Sequence, residues 1–508
     1  MTALPDWLAP LPDAEQQRAI DTWAIEQCGI PGRELMEQAA RGLTDLVSVR
    51  VPEGRLVVVC GKGNNGGDGL AAARLLRDRG RVVDVLLLAE PGEYRGDAAV
   101  NLERLPGAAA QAFAAGSLDG AAGIVDAVLG TGFSGVPHGA AAAAIEAISA
   151  AGRAGSEVIA CDVPSGVDAS TGIVQGQAVC ASATATFHAG KPGLWITPGK
   201  DHAGEVTVID IGIPADPPVD PLIGLIGPGV LGAVPRRDRA STKFAAGNVM
   251  VCGGSLGLTG APCLAAEAAM RAGAGYVTAL VPASLNIVFE LALREVMSVP
   301  LPDAEGALQP AAAATVLERL QRADALVLGP GLGRTPETQR LTRELARAAP
   351  VPLLLDADGL NAHAGAVESL AARQAPTVLT PHAGELARLL EIDSEAVASA
   401  RLSRVREAAA RSGAIVVLKG DDTIIAEPGG RLAISAGGAP ALATAGTGDV
   451  LSGVTGAFLA TGLEPFTAAC AAVHLHLRAG QLAARTIGAE GVIAGDVIAA
   501  LPAARAGE

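Results

Sequence analysis

The sequence predicts an α/β protein of two domains, each a mostly parallel sheet with helices on its faces. Three observations carry this. Short apolar runs alternate with helical patterns along nearly the whole chain, the signature of βαβ units. Half of the 508 residues are apolar while aromatics make up only 2%, and the Ala, Gly and Val that dominate suit closely packed layers. One proline-dense stretch, "GIPADPPVDP" at 212–221, divides the alternation into two series. The expected domains are 1–215 and 223–508, in keeping with a chain too long for one ordinary core.

Two amphipathic helices are expected first, at 13–27 and 32–49. Strand-like runs follow at 56–60, 82–88, 123–129, 157–163, 183–187 and 205–211, most of them separated by helical patterns. The second series has strands at 248–252, 276–281, 325–329, 352–356, 377–380 and 414–420, then "TIIAE" and "LAIS". It is expected to end in two long apolar helices, near 449–461 and 465–486. The Ala-rich runs at 139–144 and 311–314 read as helix packing.

A net charge of −15 disfavours nucleic acid as a partner. An anionic ligand would meet the same adverse field, so its phosphates need local donors, namely glycine-loop amides and a few placed cations. Basic residues are mostly Arg. The only lysines, Lys62, Lys191, Lys200, Lys243 and Lys419, fall in Gly- or Pro-punctuated stretches rather than on helix faces, which points to placement for function. Seven scattered cysteines without a C-x-x-C fit reduced thiols and a cytoplasmic location. Cys60, Cys161 and Cys252 end apolar strands and read as packing residues. Neither a signal peptide nor a membrane span is expected. His474 and His476, two apart on a helix, make a poor metal pair.

The stretch "CGKGNNGGDG" at 60–69 follows an apolar strand and satisfies G-x-G-x-x-G at Gly61, Gly63 and Gly66. As a dinucleotide fingerprint it is incomplete. Asp84 lies inside the second strand and Glu90 past its end, so no acidic residue closes that strand. No G-K-[ST] follows, so it is not a P-loop. A plain reading is a tight turn with Asp68 capping a helix at 69–79. Three further stretches bear on it. "DAVLGTGFSG" places Asp126 in a strand before a second glycine loop. "CDVPSGVD" places Asp162, Ser165 and Asp168 at a strand end, and "HAGKPGL" does the same for Lys191. In a doubly wound sheet such loops converge on one crevice. Asn65, Asp126 and Ser165 could meet there around a hard cation, which would let carboxylates and phosphates share a site.

N-N-G-G-D-G, D-A-x-L-G-T-G, D-V-P-S-G-V-D and K-P-G-L, in this order, closely resemble the NAD(P)H-hydrate epimerase domain over about residues 10–215. The resemblance implies a Rossmann-like three-layer α/β/α fold and a potassium ion held by Asn65, Asp126 and Ser165. It implies that Asn64, Asn65, Gly66, Gly67 and Asp68 hold the phosphates and ribose of the hydrate, together with Gly130, Thr131, Gly132, Phe133, Ser134, Gly135 and Val136. Asp162 would face the damaged ring and exchange protons with its C6 hydroxyl.

In the second series, "ATAGTGDVLSG" at 443–453 offers the amides of Gly446, Thr447 and Gly448 at the start of a long helix, a ready anion hole. Asp449 follows at once, either as a cap or as a functional carboxylate. "VVLKGDDTII" before it is a strand, loop and strand that could clamp a nucleotide. With G-G-S-x-G-x-T-G-A, G-P-G-L-G, D-A-D-x-L-N and P-H-x-G-E, this set resembles the ribokinase superfamily, and within it the ADP-dependent NAD(P)H-hydrate dehydratase, over about 225–505. The resemblance implies that Lys419, Gly420, Asp421, Asp422, Thr423 and Gly448 contact ADP, with magnesium accompanying the nucleotide. Ala261, Gly331, His382 and Asp449 would face the hydrate, and Asp449 would manage the proton of the departing hydroxyl. Thr242, Ala383 and Gly359 depart from the pattern, which has His, Pro and Ala there. Together the two resemblances imply an enzyme that epimerises R- and S-NAD(P)HX and dehydrates the S form at the expense of ADP. NADHX, NADPHX and ADP are the expected partners, and a homo-oligomer the expected assembly. A vitamin-precursor kinase and a non-catalytic nucleotide sensor are the alternatives.

Overall fold

The computed structural model describes residues 4–239 and 241–507. Packing divides the chain into one unit of Pro10–Gly224 and a second that runs from Leu225 onward and includes Pro5–Ala9. The short strand β1 (Leu8–Pro10) therefore opens the chain at the edge of the second unit's sheet.

The first unit continues with α1 (Ala14–Glu26), α2 (Gly32–Arg50), β2 (Leu56–Cys60), α3 (Asn64–Asp78), β3 (Val83–Leu87), α4 (Gly96–Glu103), β4 (Gln111–Ala112) and β5 (Gly123–Ala127). It ends with α5 (Gly139–Arg153), β6 (Glu157–Cys161), β7 (Ala183–Phe187), α6 (Gly199–Ala203) and β8 (Glu205–Ile209). All seven of its strands run parallel, in the order β4-β3-β2-β5-β6-β7-β8. Strand β2 shows why. Its five residues are all fully buried, so both faces must be covered. Leu56, Val58 and Cys60 share a core with Leu43 of α2 and Leu70 of α3. Val57 and Val59 face Ile145 and Ile148 of α5. The sheet order reverses between β2 and β5, and the carboxyl ends of these strands open a crevice there.

Helix α3 begins at Asn64, one residue after Gly63, not after Asp68. Asp68 is thus a helical residue rather than a cap. The glycines allow the early start. A Cβ on Gly66 would lie 1.7 Å from the Gly61 carbonyl oxygen, and one on Gly69 would lie 2.4 Å from the Cβ of Ala127. The helix sits directly on the strand ends because nothing projects from it there.

The second unit runs β9 (Ile223–Ile226), β10 (Asn248–Cys252), α7 (Gly260–Ala272), β11 (Tyr276–Pro282), α8 (Asn286–Ala292), β12 (Met297–Leu301), β13 (Asp303–Ala304), β14 (Ala307–Leu308), α9 (Ala313–Leu320), β15 (Ala325–Leu328), α10 (Pro336–Ala348), β16 (Leu353–Leu355) and α11 (Asp358–Asn361). It continues with β17 (Thr377–Leu379), α12 (Ala383–Leu390), α13 (Ser394–Ala398), α14 (Arg401–Ser412), β18 (Ile415–Leu418), β19 (Ile424–Ala426), β20 (Leu432–Ile434), α15 (Thr447–Ala460), α16 (Pro465–Ile487) and α17 (Ala494–Ala506). The sheet order is β1-β9-β20-β19-β18-β17-β16-β15-β10-β11-β12. Pairing is parallel from β18 through to β12 and antiparallel between β18, β19 and β20.

Helix α15 is apolar nearly all round, with Val450, Val454, Ala457 and Phe458 buried. It packs on α7 through glycine. A Cβ on Gly453 would lie 2.0 Å from the Ala265 carbonyl oxygen, and one on Gly456 would lie 2.4 Å from Val327 Cγ2.

Three expectations change. A third helix, α17, follows the two apolar ones predicted to end the chain. Strands β9 and β12 and the β13–β14 hairpin lie in segments predicted as connections. Lys200 sits on the short helix α6 rather than in a loop. Among the described residues, no helix is long and apolar enough to cross a membrane.

Gly453→Ala tests the close approach of α15 to α7. Forcing a methyl against backbone should cost about 1–3 kcal/mol or more, read as a lower midpoint in chemical denaturation of the second unit.

Candidate active sites

In the first unit a cavity of about 910 Å³ opens at the crevice between β2 and β5. Asn64, Asn65 and Asp68 of α3, Gly130–Phe133 after β5, Asp162 after β6 and Lys191 after β7 form its wall. Gly66 and Gly67 are buried behind it, where their missing side chains admit Gly61 and Met36. Ser134, Gly135 and Val136 lie outside the wall, and Val136 is 61% exposed. Helix α3 has no side-chain cap, and its first intrahelical bond runs from Gly67 N to Gly63 O. The amides of Asn64, Asn65 and Gly66 therefore remain available to an anion.

Asp162 follows the last residue of β6 in a left-handed conformation, φ +68°. Strained backbone of this kind persists where the surroundings over-determine it. Here they do. Lys191 Nζ donates to Asp162 Oδ1 at 2.8 Å, and Thr186 Oγ1 donates to the same oxygen at 3.2 Å. Thr131 donates to Oδ2 through its amide at 3.2 Å and through its hydroxyl. Lys191 is only 1% exposed and also donates to Phe187 O at 2.8 Å. Burial alone would raise the Asp162 carboxyl, but Lys191 and the Thr131 donors outweigh it and hold it below the usual carboxylate range. Asp162 is ionised and acts as an acceptor.

Of the three residues expected to hold a cation, two are in direct contact, and the third lies against the loop that follows Asp126. Ser165 Oγ donates to Asp126 Oδ1 at 2.6 Å, Ser165 N donates to Oδ2 at 2.8 Å, and Leu129 N donates to Ser165 Oγ at 2.8 Å. The Asn65 side chain packs against Gly130, where a Cβ would lie 2.9 Å from its Cγ. Both polar atoms of that side chain are buried without a hydrogen-bond partner. Burial pushes Asp126 up to about 6 despite the bonds from Ser165 and Val128. A buried carboxyl whose hydrogen bonds do not offset its burial, together with the unpartnered buried amide oxygen of Asn65, suits a weakly charged cation.

Helix α1 adds wall residues that the sequence did not flag. Gln17, Arg18 and Asp21 line the cavity, with Gln17 Nε2 donating to Asp21 Oδ1 at 2.9 Å. The only signal was an i, i+4 polar pair, which also describes an ordinary solvated face.

In the second unit the site gathers at the N-terminus of α15. Gly446 adopts φ +90°, and the helix has no side-chain cap. Thr447 Oγ1 turns back to Leu442 O at 2.8 Å and Thr444 O at 2.9 Å, fixing the loop and leaving the first amides open. Lys419 Nζ lies 3.5 Å from the Cβ position of Gly448. It donates to Asp356 Oδ1 at 2.9 Å and lies 3.8 Å from Glu385 Oε2. Asp356 also accepts from Thr380 Oγ1 at 2.9 Å and Ser452 Oγ at 2.8 Å. Asp449, in the first turn, is pushed up to about 7 by burial and then by Asp356 and Glu385, with Lys419 opposing.

The other expected residues divide. Gly331 and Ala261 are neighbours: a Cβ on Gly331 would lie 3.3 Å from that of Ala261. His382 caps α12, accepting at Nδ1 from Gly384 N at 3.0 Å, and its ring is exposed. Thr423 Oγ1 closes the 420–423 turn onto Gly420 O at 2.8 Å. Asp421 packs over Gly438. Asp422 does not join the site. It is 2% exposed and accepts from Arg401 Nε at 2.8 Å, so it holds the loop from behind. Gly359 is explained by crowding, since a Cβ would meet Leu328 O at 2.5 Å. Thr242 Oγ1 accepts from Ala245 N at 3.2 Å, closing a local turn. Glu385 and Ser452, absent from the expected set, complete the polar cluster. Among the described residues no group of three His, Cys, Asp or Glu is arranged to hold a metal ion.

Comparison with known proteins gives the same division. Residues 32–193 match the family described as the YjeF-related protein N-terminus, and residues 249–503 match the NAD(P)H-hydrate dehydratase family. The bifunctional NAD(P)H-hydrate repair enzyme Nnr of Moorella thermoacetica is 40% identical over 507 residues, covering 96% of this chain and 95% of its own. The protein of the same name from Coxiella burnetii is 36% identical, with 95% and 96% covered. The crystal structure of the ADP/ATP-dependent NAD(P)H-hydrate dehydratase of Bacillus subtilis, co-crystallised with ATP and Mg2+, is 28% identical, covers 54% of this chain and 94% of that chain, and has a TM-score of 0.46.

The raised Asp449 predicts a pH-dependent cost. Below about pH 4 the group is protonated in folded and unfolded chains alike, so nothing is lost. As pH rises towards 7 the unfolded chain ionises first and the folded state is penalised, fully above about 7. Asp449→Asn should therefore raise the melting temperature of the second unit above pH 7 and leave it unchanged well below pH 4. The gain should be at most about 4 kcal/mol and less for a partly exposed group.

Proposed function

The chain belongs to the family of bifunctional NAD(P)H-hydrate repair enzymes, and from that premise we propose how its two units divide the work. Residues 1–215 form the epimerase, which interconverts the R and S hydrates of NADH and NADPH. Residues 223–508 form the dehydratase, which returns the S hydrate to NAD(P)H at the expense of ADP. The observation that carries this division is that each unit has its own lysine paired with a carboxylate, acid/base carboxylate and uncapped helix N-terminus. These are Lys191, Asp162 and α3 in the first, and Lys419, Asp449 and α15 in the second.

In the epimerase, the open amides of α3 and the Gly130–Phe133 turn bind the phosphate and ribose portion of the hydrate. Asp162, ionised and fixed by Lys191 and Thr131, receives a proton at the ring. Asn65, Asp126 and Ser165 hold potassium, and the unpartnered Asn65 side chain supports that choice. The ion supplies positive charge that lets phosphate and carboxylate coexist. In the dehydratase, Lys419 leaves part of its contact with Asp356 for a nucleotide phosphate, and the first amides of α15 hold the end of the phosphate chain. Magnesium accompanies that chain. The rim formed by Ala261, Gly331 and His382 orients the hydrate. Asp449, titrating near neutrality, moves the proton of the C6 hydroxyl. The free cysteines support a reducing, cytoplasmic setting.

Asp449→Asn should abolish ADP-dependent recovery of NADH, by about 10²–10⁴-fold, while R and S hydrates still interconvert. Asp162→Asn should do the reverse, leaving the R hydrate to persist. Chromatography of the epimers over time checks both. A single variant that remains folded yet loses both activities would contradict the division.

Asp126→Ala should slow epimerisation, as should removal of potassium from the buffer. Equal rates in all three conditions would remove the cation from the account.

A further inference from the structure

We propose that Asp68 is the second proton-transfer group of the first unit's site, donating a proton to the departing C6 hydroxyl while Asp162 accepts one from the incoming water. The inference rests on the epimerase reading above and names a catalytic residue for it.

Inversion at C6 needs two opposite proton movements. The hydroxyl must be protonated to leave, and the water that replaces it on the other face must lose a proton. One ionised carboxylate can do the second but not the first. Asp162 is committed to the ionised state by four hydrogen bonds, from Lys191, Thr186 and both donors of Thr131. A carboxylate that only accepts has no proton to give.

Asp68 stands in the opposite condition. It lines the same cavity but has no hydrogen-bond or ion-pair partner for its carboxyl among the described residues. The two side chains enter from different elements. Asp68 comes from α3, which follows β2, and Asp162 from the end of β6, with β5 between these strands in the sheet. A ring seated in the cavity would meet one carboxyl from each of these elements.

Charge favours the same assignment. Asp21 of α1 and Asp162 act on Asp68 with the same sign, Lys191 opposes them, and burial is the largest effect. The net result holds the Asp68 proton well above the usual carboxylate range. Asp21 is raised by burial too, with Lys191 and Gln17 opposing, and the nearby Cys161 thiol stays neutral. The remaining charged or titratable groups on the wall are Arg18, Asp97, His138 and the exposed Lys62–Glu93 pair. Lys191 already balances one carboxylate. Ionising Asp21 and Asp68 as well would add two uncompensated negative charges beside a diphosphate ligand. Carboxyl pairs whose environments drive their proton affinities apart mark acid and base roles.

The step balances without an oxidant. Asp68 gives its proton to the C6 hydroxyl oxygen, the C6–O bond breaks with its electron pair, and water leaves. The lone pair of the ring nitrogen stabilises the resulting cation. A water then forms the new C–O bond on the other face and gives its proton to Asp162. The site ends with the proton on Asp162 and Asp68 ionised, poised for the reverse inversion or for reset by solvent. The C6 oxygen must therefore exchange with solvent at each inversion.

The test compares the full-length wild type, Asp68→Asn and Asp68→Glu on separated R and S hydrates in water enriched in heavy oxygen. The wild type should place a solvent oxygen in the inverted epimer. Its kcat/KM should fall at high pH, as the acid loses its proton, and at low pH, as Asp162 gains one. Asp68→Asn should lower kcat by about 10²–10⁴-fold with KM within a few-fold, and should lack the high-pH limb. Asp68→Glu should recover part of kcat. A wild-type kcat in Asp68→Asn, or a raised KM with kcat intact, would overturn the proposal. If the Asn variant does not fold, retention of the original oxygen by the wild-type product overturns it instead. A wild type that does not interconvert the epimers would overturn the epimerase reading itself, a distinct outcome.

Discussion

Each unit is organised around a lysine paired with a carboxylate at the carboxyl end of its sheet. Lys191 meets Asp162 at 2.8 Å and Lys419 meets Asp356 at 2.9 Å. Removing charges from water is expensive, and such a pair repays the cost only when its remaining hydrogen-bonding capacity is met. Both carboxylates have further donors: Thr131 and Thr186 serve Asp162, while Thr380 and Ser452 serve Asp356. A chain with only five lysines and a net charge of −15 spends two of them here. On the proposed reading, the local positive charge is what makes an anionic nucleotide acceptable to each unit. Lys419 keeps part of its charge for a ligand, at 22% side-chain exposure, whereas Lys191 at 1% is almost wholly engaged. The first site therefore leans on backbone amides and, as proposed, on a cation. The second can offer a side chain.

Glycine makes these arrangements possible by removing bulk. The NNGGDG segment reads as a loop that cradles phosphate, yet Gly66 and Gly69 serve mainly to let α3 lie against Gly61 and Ala127. That close seat starts the helix early and aims its amides, and Asp68, into the cavity. Gly453 and Gly456 do the same for α15. On the proposed reading, phosphate binding follows from helix placement, and helix placement follows from what the glycines lack.

Much of this was legible in the sequence. Runs such as "LVVVC" and "NVMVC" could only be doubly covered strands, and both lie where expected. Asp126 and Ser165 bond to each other, and Asn65 and Asp162 line one cavity, because strand-end loops of a doubly wound sheet converge. What failed has physical reasons. Strand β4 has two residues and β9 four, too few to show a period. Strand β12 contains Pro300, which reads as a break but is tolerated at a sheet edge. Asp422 sits in a motif whose spacing suggests ligand contact, but its partner Arg401 is 21 positions away, and single-sequence spacing does not show such pairs. Gln17 and Asp21 looked like an exposed helix face because nothing local says that a cavity lies against it.

The central claim is that both repair activities reside in this one chain, each with its own complete site. The most direct measurement follows an equal mixture of R and S hydrates of NADH with purified protein, excess ADP and potassium, monitoring NADH formed and both epimers remaining. The account predicts conversion of the whole mixture to NADH, with the R form drawn through the S form faster than it epimerises unaided. Conversion that halts when the S form is exhausted, with the R form left at its spontaneous rate, would contradict it.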